Sequence, residues 1–336
     1  MANRRNPRAA SLPLDSSKST LPVLPSWMGS RSVGNGAAEL RVAYQGVSGA
    51  YSELAARTAL PGCATLPCPV LYDAVLAVKA GHADRAVLPV EGTTDACAVR
   101  NYDILLQNDL HIVQEVSLFV DYYLLAMPGV GKKGLRKVIS HPMALEHCGR
   151  SLRRLGLDQE PVDDTAGAVK MLLARGMVDT AAIASPRAAA LYGLDVLVRG
   201  LQDEAWNVTR FLVLSRSPGQ HKSGTAAKTS IVVAGRGGAL AALLKVLSAC
   251  SRRGISLRKL EVHNPGAHGD GMAVLVLDAD GRGTLRAFPH VLYVDLEGSV
   301  EDERVKDAMA DISSFSELVR VLGCYTADPK IYDLRS

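Results

Sequence analysis

The 336 residues carry 38 basic and 34 acidic side chains and are 48% apolar, the composition of a globular protein large enough for two compact domains with ordinary cores. The positive excess comes from residues 1 to 38, where Arg4, Arg5, Arg8, Lys18 and Arg31 stand against one acid, Asp15; the rest of the chain is formally neutral and carries no footprint for nucleic acid. No run of about 18 apolar residues occurs, which excludes a membrane-spanning helix, and six cysteines without a C-x-x-C pair read as free thiols in a reducing compartment instead of a zinc site or disulfide framework.

The first 38 residues combine basic side chains with seven serines and several prolines and show no sustained period. Residues 1–39 therefore read as a plastid or mitochondrial transit peptide or as a solvated tail. From Leu40 onward, strand candidates at 41–45, 85–89, 137–140, 180–184 and 196–198 alternate with helical spacing at 51–60, 72–81, 142–155 and 165–176. This alternation predicts an α/β domain over 40–215 with a largely parallel sheet. The apolar stretch 111–127 is placed to cross between two sheets, giving two lobes and a ligand cleft between them.

Residues 216–227 are rich in Gly, Ser and Pro and have linker composition. Beyond them the pattern is strand 229–234, helix 239–251, strands 256–262, 272–277 and 291–297, helix 300–312 and strand 318–322. With 278–289 as a loop inside the hairpin, this is a ferredoxin-like βαββαβ domain over 228–325, followed by a tail at 326–336.

Three segments carry chemistry. Gly46-Val47-Ser48-Gly49-Ala50-Tyr51-Ser52-Glu53 follows a strand and opens a helix, so its N–H groups can bind a carboxylate; it can equally be a plain strand-to-helix turn, with Ser52 as N-cap, substrate contact or both. Leu88-Pro89-Val90-Glu91-Gly92-Thr93-Thr94 follows an apolar strand, at the sheet end where α/β proteins keep ligands, although Thr93 could merely cap a helix beginning near Val99. Trp206-Asn207-Val208-Thr209-Arg210-Phe211 sets a hydroxyl beside a guanidinium. Arg210 can fork onto a carboxylate, Thr209 can reach a leaving group and Phe211 can exclude water; the alternative is a strand-edge Thr and a surface Arg paired with Asp203 or Glu204.

These segments, in this order, resemble the plant arogenate dehydratase and prephenate dehydratase family over roughly residues 40 to 325. The resemblance implies a two-lobed, periplasmic-binding-protein-like catalytic domain followed by an ACT regulatory domain. It implies a lyase that needs no cofactor or metal and makes phenylalanine from arogenate, or phenylpyruvate from prephenate. Catalytic roles fall to Thr209, Glu91 and Thr93, and substrate contacts to Arg210, Phe211, Asn207, Ala50, Tyr51 and Ser52. Family members suggest a chloroplast-stromal homo-dimer or homo-tetramer with phenylalanine as effector near Gly238, Ala239, Leu240 and Glu261. The family usually has an amide at Gly92, a glycine at Ala96, Gln at Met143 and Ser-Arg after Glu261.

Those departures leave a second reading open, a non-catalytic paralogue that binds an aromatic amino acid or a partner. A third, a periplasmic-type amino-acid-binding protein, fits two lobes but not the second domain. Capping explains His141 before Pro142, and the helix dipole explains Asp163 and Asp164. Gly129 to Gly134 fits G-x-G-x-x-G but has a strand after it where a dinucleotide site needs a helix; Gly235 to Gly238 reads as a strand-to-helix turn.

Overall fold

A computed structural model describes residues 39–92, 99–219, 221, 226–265, 273–278 and 283–328. The proposed transit segment, apart from Glu39, and much of the proposed linker and tail lie outside these residues. The first lobe contains β1 (Arg41–Gln45), α1 (Tyr51–Ala59), β2 (Ala64–Cys68), α2 (Leu71–Lys79), β3 (Arg85–Gly92), α3 (Val99–Leu106) and β4 (His111–Phe119). The chain then enters the second lobe, with β5 (Tyr123–Ala126), β6 (Lys137–Ser140), α4 (Pro142–His147), α5 (Gly149–Leu155), β7 (Asp158–Pro161), α6 (Thr165–Arg175), β8 (Thr180–Ala184), α7 (Pro186–Tyr192) and β9 (Asp195–Val198). It returns to the first lobe as β10 (Val208–Ser215).

The two lobes repeat one plan. The first sheet runs β2-β1-β3-β10-β4 and the second β7-β6-β8-β5-β9. The expected crossover is present, because the stretch 111–127 divides into β4 in one sheet and β5 in the other. The sheets are less parallel than expected: each has two parallel and two antiparallel pairings, since the strand returning from the other lobe enters antiparallel. Central strands are apolar on both faces, as Val42, Ala43, Tyr44 and all of β8 are buried. The anticipated helix 142–155 breaks in two at Cys148, and α6 runs from its Asp164 cap to Gly176, whose left-handed backbone ends it. Strands β2 and β7 and helix α7 have too little apolar periodicity to be read from sequence.

The C-terminal domain comprises β11 (Ala227–Ala234), α8 (Ala239–Ser251), β12 (Leu257–His263), β13 (Val274–Leu277), β14 (Leu285–Phe288), β15 (Val291–Glu297), α9 (Glu303–Phe315) and β16 (Leu318–Thr326). Its antiparallel sheet has the order β12-β15-β11-β16, the ferredoxin-like arrangement expected. Two expectations need correction. The strand at 272–277 does not join this sheet but pairs with β14 in a separate hairpin, so 278–289 is not simply a loop. The second helix starts three residues later than expected, at Glu303, because Asp302 caps it by accepting a hydrogen bond from the Arg304 N–H. Ile231, Val233, Leu292 and Val294 face α8 and α9 in the core. The other sheet face lies against the first lobe.

Candidate functional site

Strand β10 has alternating faces, and this decides what its motif can do. Phe211 packs with Val42, Ala55 and Ala56, so Thr209, two residues earlier in the strand, shares the face that carries α1, while Asn207 stands just before the strand. Arg210 projects from the opposite face. In register, Thr209 lies beside Gly92 on β3 and Leu118 on β4. The position where a family amide is expected is therefore the threonine's immediate cross-strand neighbour. Thr93, also assigned to catalysis, lies outside the described residues.

The turn before α1 reaches across to the second lobe. Ser185 donates to the Gly49 carbonyl (2.6 Å), Tyr192 donates to the Ser48 carbonyl (2.9 Å), and Tyr51 donates to the Asp121 carbonyl (2.8 Å). Gly49 has φ +95°, and a Cβ there would stand 3.1 Å from Ala188, so the close approach needs glycine. Ala50 occupies the N-cap position of α1 without a side-chain cap, which places Ser52 inside the helix and corrects its assignment as cap. The hydroxyl of Tyr51 is committed to the backbone between the lobes, while its ring meets Tyr122 edge-on at 5.7 Å.

Glu53 anchors this junction. Its buried carboxylate accepts from Arg187 (2.8 and 3.0 Å), Arg57 (2.9 Å) and the Gly49 N–H (2.7 Å). Burial alone would raise its pKa, but the hydrogen bonds from Arg187, Gly49 and Arg57 override it and hold the carboxyl at about 2.

On the far face of β10, Arg210 has no free fork for a substrate. Its Nε donates to Glu115 (2.8 Å), one terminal nitrogen reaches both oxygens of Glu91 (3.3 Å), and the other contacts Tyr325 Oη (3.0 Å) and Asp295 (2.8 Å). The expectation that Thr209 and Arg210 act together on one acid is corrected by strand alternation, and the suggested pairing with Asp203 or Glu204 is also absent, since Arg150 takes both. Glu91 likewise faces away from Thr209; its carboxylate joins Arg210 and Lys259 of β12. Lys228 of β11 completes the cluster by pairing with Glu115 at 2.8 Å. Burial and the nearby Arg210 charge pull the Lys228 ammonium below its ordinary pKa, against the attraction of Glu115.

Sequence reasoning missed Glu53, Arg187, Glu115, Lys228, Lys259 and Asp295. A signal was present: Glu115 and Lys228 interrupt or adjoin apolar strand runs, where a charged side chain needs a partner. His141 caps α4 as expected, its Nδ1 accepting from the Met143 N–H (3.2 Å). Asp164 caps α6 through the Gly167 N–H; Gly129 to Gly134 is followed by strand β6, as expected, and Gly235 to Gly238 forms the expected strand-to-helix turn between β11 and α8. The described cysteines are free thiols; Cys97 lies outside the described residues. The residues expected to hold an effector, Gly238, Ala239, Leu240 and Glu261, are not gathered within one chain. Gly238 caps α8, and Leu240 on that helix is 68% exposed, whereas Glu261 is on the opposite sheet face, paired with Lys259 (2.7 Å).

The family model for prephenate dehydratase matches residues 42–219. Arogenate dehydratase 1 of Petunia hybrida is 48% identical over 291 residues, covering 86% of this chain and 67% of the relative. Arogenate dehydratase/prephenate dehydratase 6, chloroplastic, of Arabidopsis thaliana is 47% identical over 294 residues, covering 86% and 69%. Among solved structures, prephenate dehydratase from Arthrobacter aurescens in complex with L-Phe matches with a TM-score of 0.73 and 27% identity, over 87% of this chain and 91% of that one.

Proposed function

The chain belongs to the prephenate dehydratase family, and from that premise we propose that it is a decarboxylating dehydratase, a carbon-oxygen lyase, converting arogenate to L-phenylalanine and also accepting prephenate. The observation that carries the site assignment is Thr209 beside Gly92, on the sheet face that bears the N-terminal turn of α1.

Loss of the ring hydroxyl and of carbon dioxide makes the ring aromatic, so the enzyme has only to assist the departing oxygen and orient the carboxylates. Thr209 donates a hydrogen bond to that oxygen. A hydroxyl is a weak acid, so position in a water-poor cleft supplies its effect. Phe211 forms the apolar floor, and Asn207, just before the strand, supplies a polar contact. With Arg210 committed elsewhere and the Ala50 N–H spent on the Val47 carbonyl, the first-turn N–H groups of Tyr51 and Ser52 in α1 take over the carboxylate. Glu91 acts behind the strand, and Thr93, next after Gly92 in sequence, keeps its assignment to catalysis.

Phenylalanine as an effector is supported by the bacterial relative solved with L-Phe. Gly238, Ala239, Leu240 and Glu261 would serve it where two copies meet, since exposed Leu240, Leu244 and Val262 offer apolar surface for a homo-dimer or homo-tetramer. Relatives named chloroplastic support a plastid location, and we assign the stroma.

The test is incubation of the full chain with arogenate and separately with prephenate, following phenylalanine and phenylpyruvate. Turnover that Thr209→Ala abolishes while the far-UV spectrum is unchanged is expected. A folded protein inert to both substrates would overturn the assignment and restore the binding-module reading.

A further inference from the structure

Lys259 lies at the junction of the two parts of the chain that function requires, yet it touches no residue assigned to substrate. Its ammonium joins the Glu91 carboxylate on β3 and Glu261 on its own strand. The side chain is 13% exposed, with its charge 5.4 Å from the Tyr102 ring of α3, which is stacked at 4.6 Å on Tyr293 of β15. The lysine thus lies against one ring of an aromatic pair to which both domains contribute. Burial pulls its pKa down, but Glu91 and Glu261 more than reverse this, so the ammonium stays charged.

Glu91 is the penultimate residue of β3, and its carboxylate is held from one side by Arg210 on β10 and from the other by Lys259 on β12. The next residue, Gly92, is the cross-strand neighbour of Thr209. Other polar ties between the domains fasten different elements: Arg320 binds the carbonyls of Leu106 and Asn108 after α3, and Lys228 binds Glu115 on β4. The Lys259 contact is the tie directed at the catalytic end of β3.

Resting on the dehydratase reading above, we propose that Lys259 is a positioning residue for the reaction: by holding Glu91 against Arg210 it fixes the end of β3, and so the Gly92 backbone beside the Thr209 hydroxyl. The C-terminal domain in this way completes the catalytic strand end. Because Glu261 shares the same ammonium, charge gained or lost at Glu261 is felt at Glu91. A cationic group docking on Glu261 releases Lys259 to Glu91 alone.

The full-length chain is assayed with arogenate as Lys259→Met, Lys259→Arg, Glu91→Gln and the Lys259→Met/Glu91→Gln double variant. Arg258→Met is the control, since Arg258 pairs with Glu297 on the exposed side of the same strand. Lys259→Met is expected to lower kcat about tenfold with KM moved by less than about twofold, a loss of about one decade of transition-state stabilisation. Lys259→Arg restores most of the rate. The double variant is no slower than either single one, because both substitutions break one clamp. Amide exchange in residues 85–92 is expected to quicken in Lys259→Met and not in Arg258→Met.

An unchanged kcat in Lys259→Met, with or without faster exchange, overturns the proposal. So do multiplicative losses in the double variant, or an Arg258→Met variant as slow as Lys259→Met. If the unsubstituted chain turns over neither substrate, the dehydratase reading fails, and the exchange measurement alone decides whether Lys259 fixes the strand end.

Discussion

Replacing Arg210 by Met separates two roles for the most conspicuous residue of the Thr-Arg-Phe segment. The guanidinium is 6% exposed and sits 2.8 Å from both Glu115 and Asp295, whose side chains are 0% and 4% exposed. After substitution Glu115 keeps Lys228, but the buried Asp295 loses its ion-pair contact with the guanidinium and keeps the Ser230 hydroxyl, with the Lys228 charge shared between the two carboxylates. Removing one partner of such a pair costs about 3–5 kcal/mol, a large part of the about 5–15 kcal/mol that holds a protein folded. Urea unfolding of the full chain followed by circular dichroism should show this loss as a lower midpoint at unchanged slope. Arg210→Lys should recover less than half, since an ammonium cannot fork onto several oxygens. An unchanged midpoint together with a KM raised tenfold or more would refute the reasoning and return Arg210 to the substrate.

Glu53 sets an acid limit. Its folded-state pKa of about 2 lies below the ordinary 4.5, so it contributes stability that is full above the ordinary value and is lost as pH falls towards about 2. Unfolding midpoints of Glu53→Gln should therefore start lower at neutral pH and fall less than those of the unsubstituted chain between about pH 5 and about pH 3; parallel curves would contradict this. Gly92→Asn should raise kcat/KM about tenfold by returning an amide beside Thr209, and an unchanged value would show that the glycine costs nothing. Gly323→Ala puts a Cβ 2.8 Å from the Ile112 Cβ and closer still to the Ile112 carbonyl, so a loss of about 1–3 kcal/mol is expected in the same urea assay.

Much of this architecture was legible because period and punctuation agree. The strands 229–234 and 291–297 and the helix 239–251 follow from unbroken apolar spacing, and the two-lobe plan follows from an apolar stretch too long for one strand. Strand β7, with the sequence Asp-Gln-Glu-Pro, carries no apolar signal and exists only because β6 offers it an edge. Thr209 and Arg210 were found as a pair because they adjoin in sequence, and were joined in one task for the same reason. A strand turns such neighbours to opposite faces, so adjacency that means proximity in a turn means separation here. The partners of Arg210 are 85 to 119 residues away in the chain, beyond the reach of any local pattern.

The docking face between the domains has a consequence for how this chain can be divided. Beside the Tyr102–Tyr293 ring contact, charges and backbone carbonyls are matched across the seam: Arg320 on Leu106 and Asn108, Lys228 on Glu115, Asp295 on Arg210. An oily seam tolerates an approximate replacement, whereas a charge left on either half demands its own counterpart. The C-terminal domain is accordingly not an interchangeable cassette, and a chimera carrying a foreign one would have to import residues 91, 115 and 210 along with it.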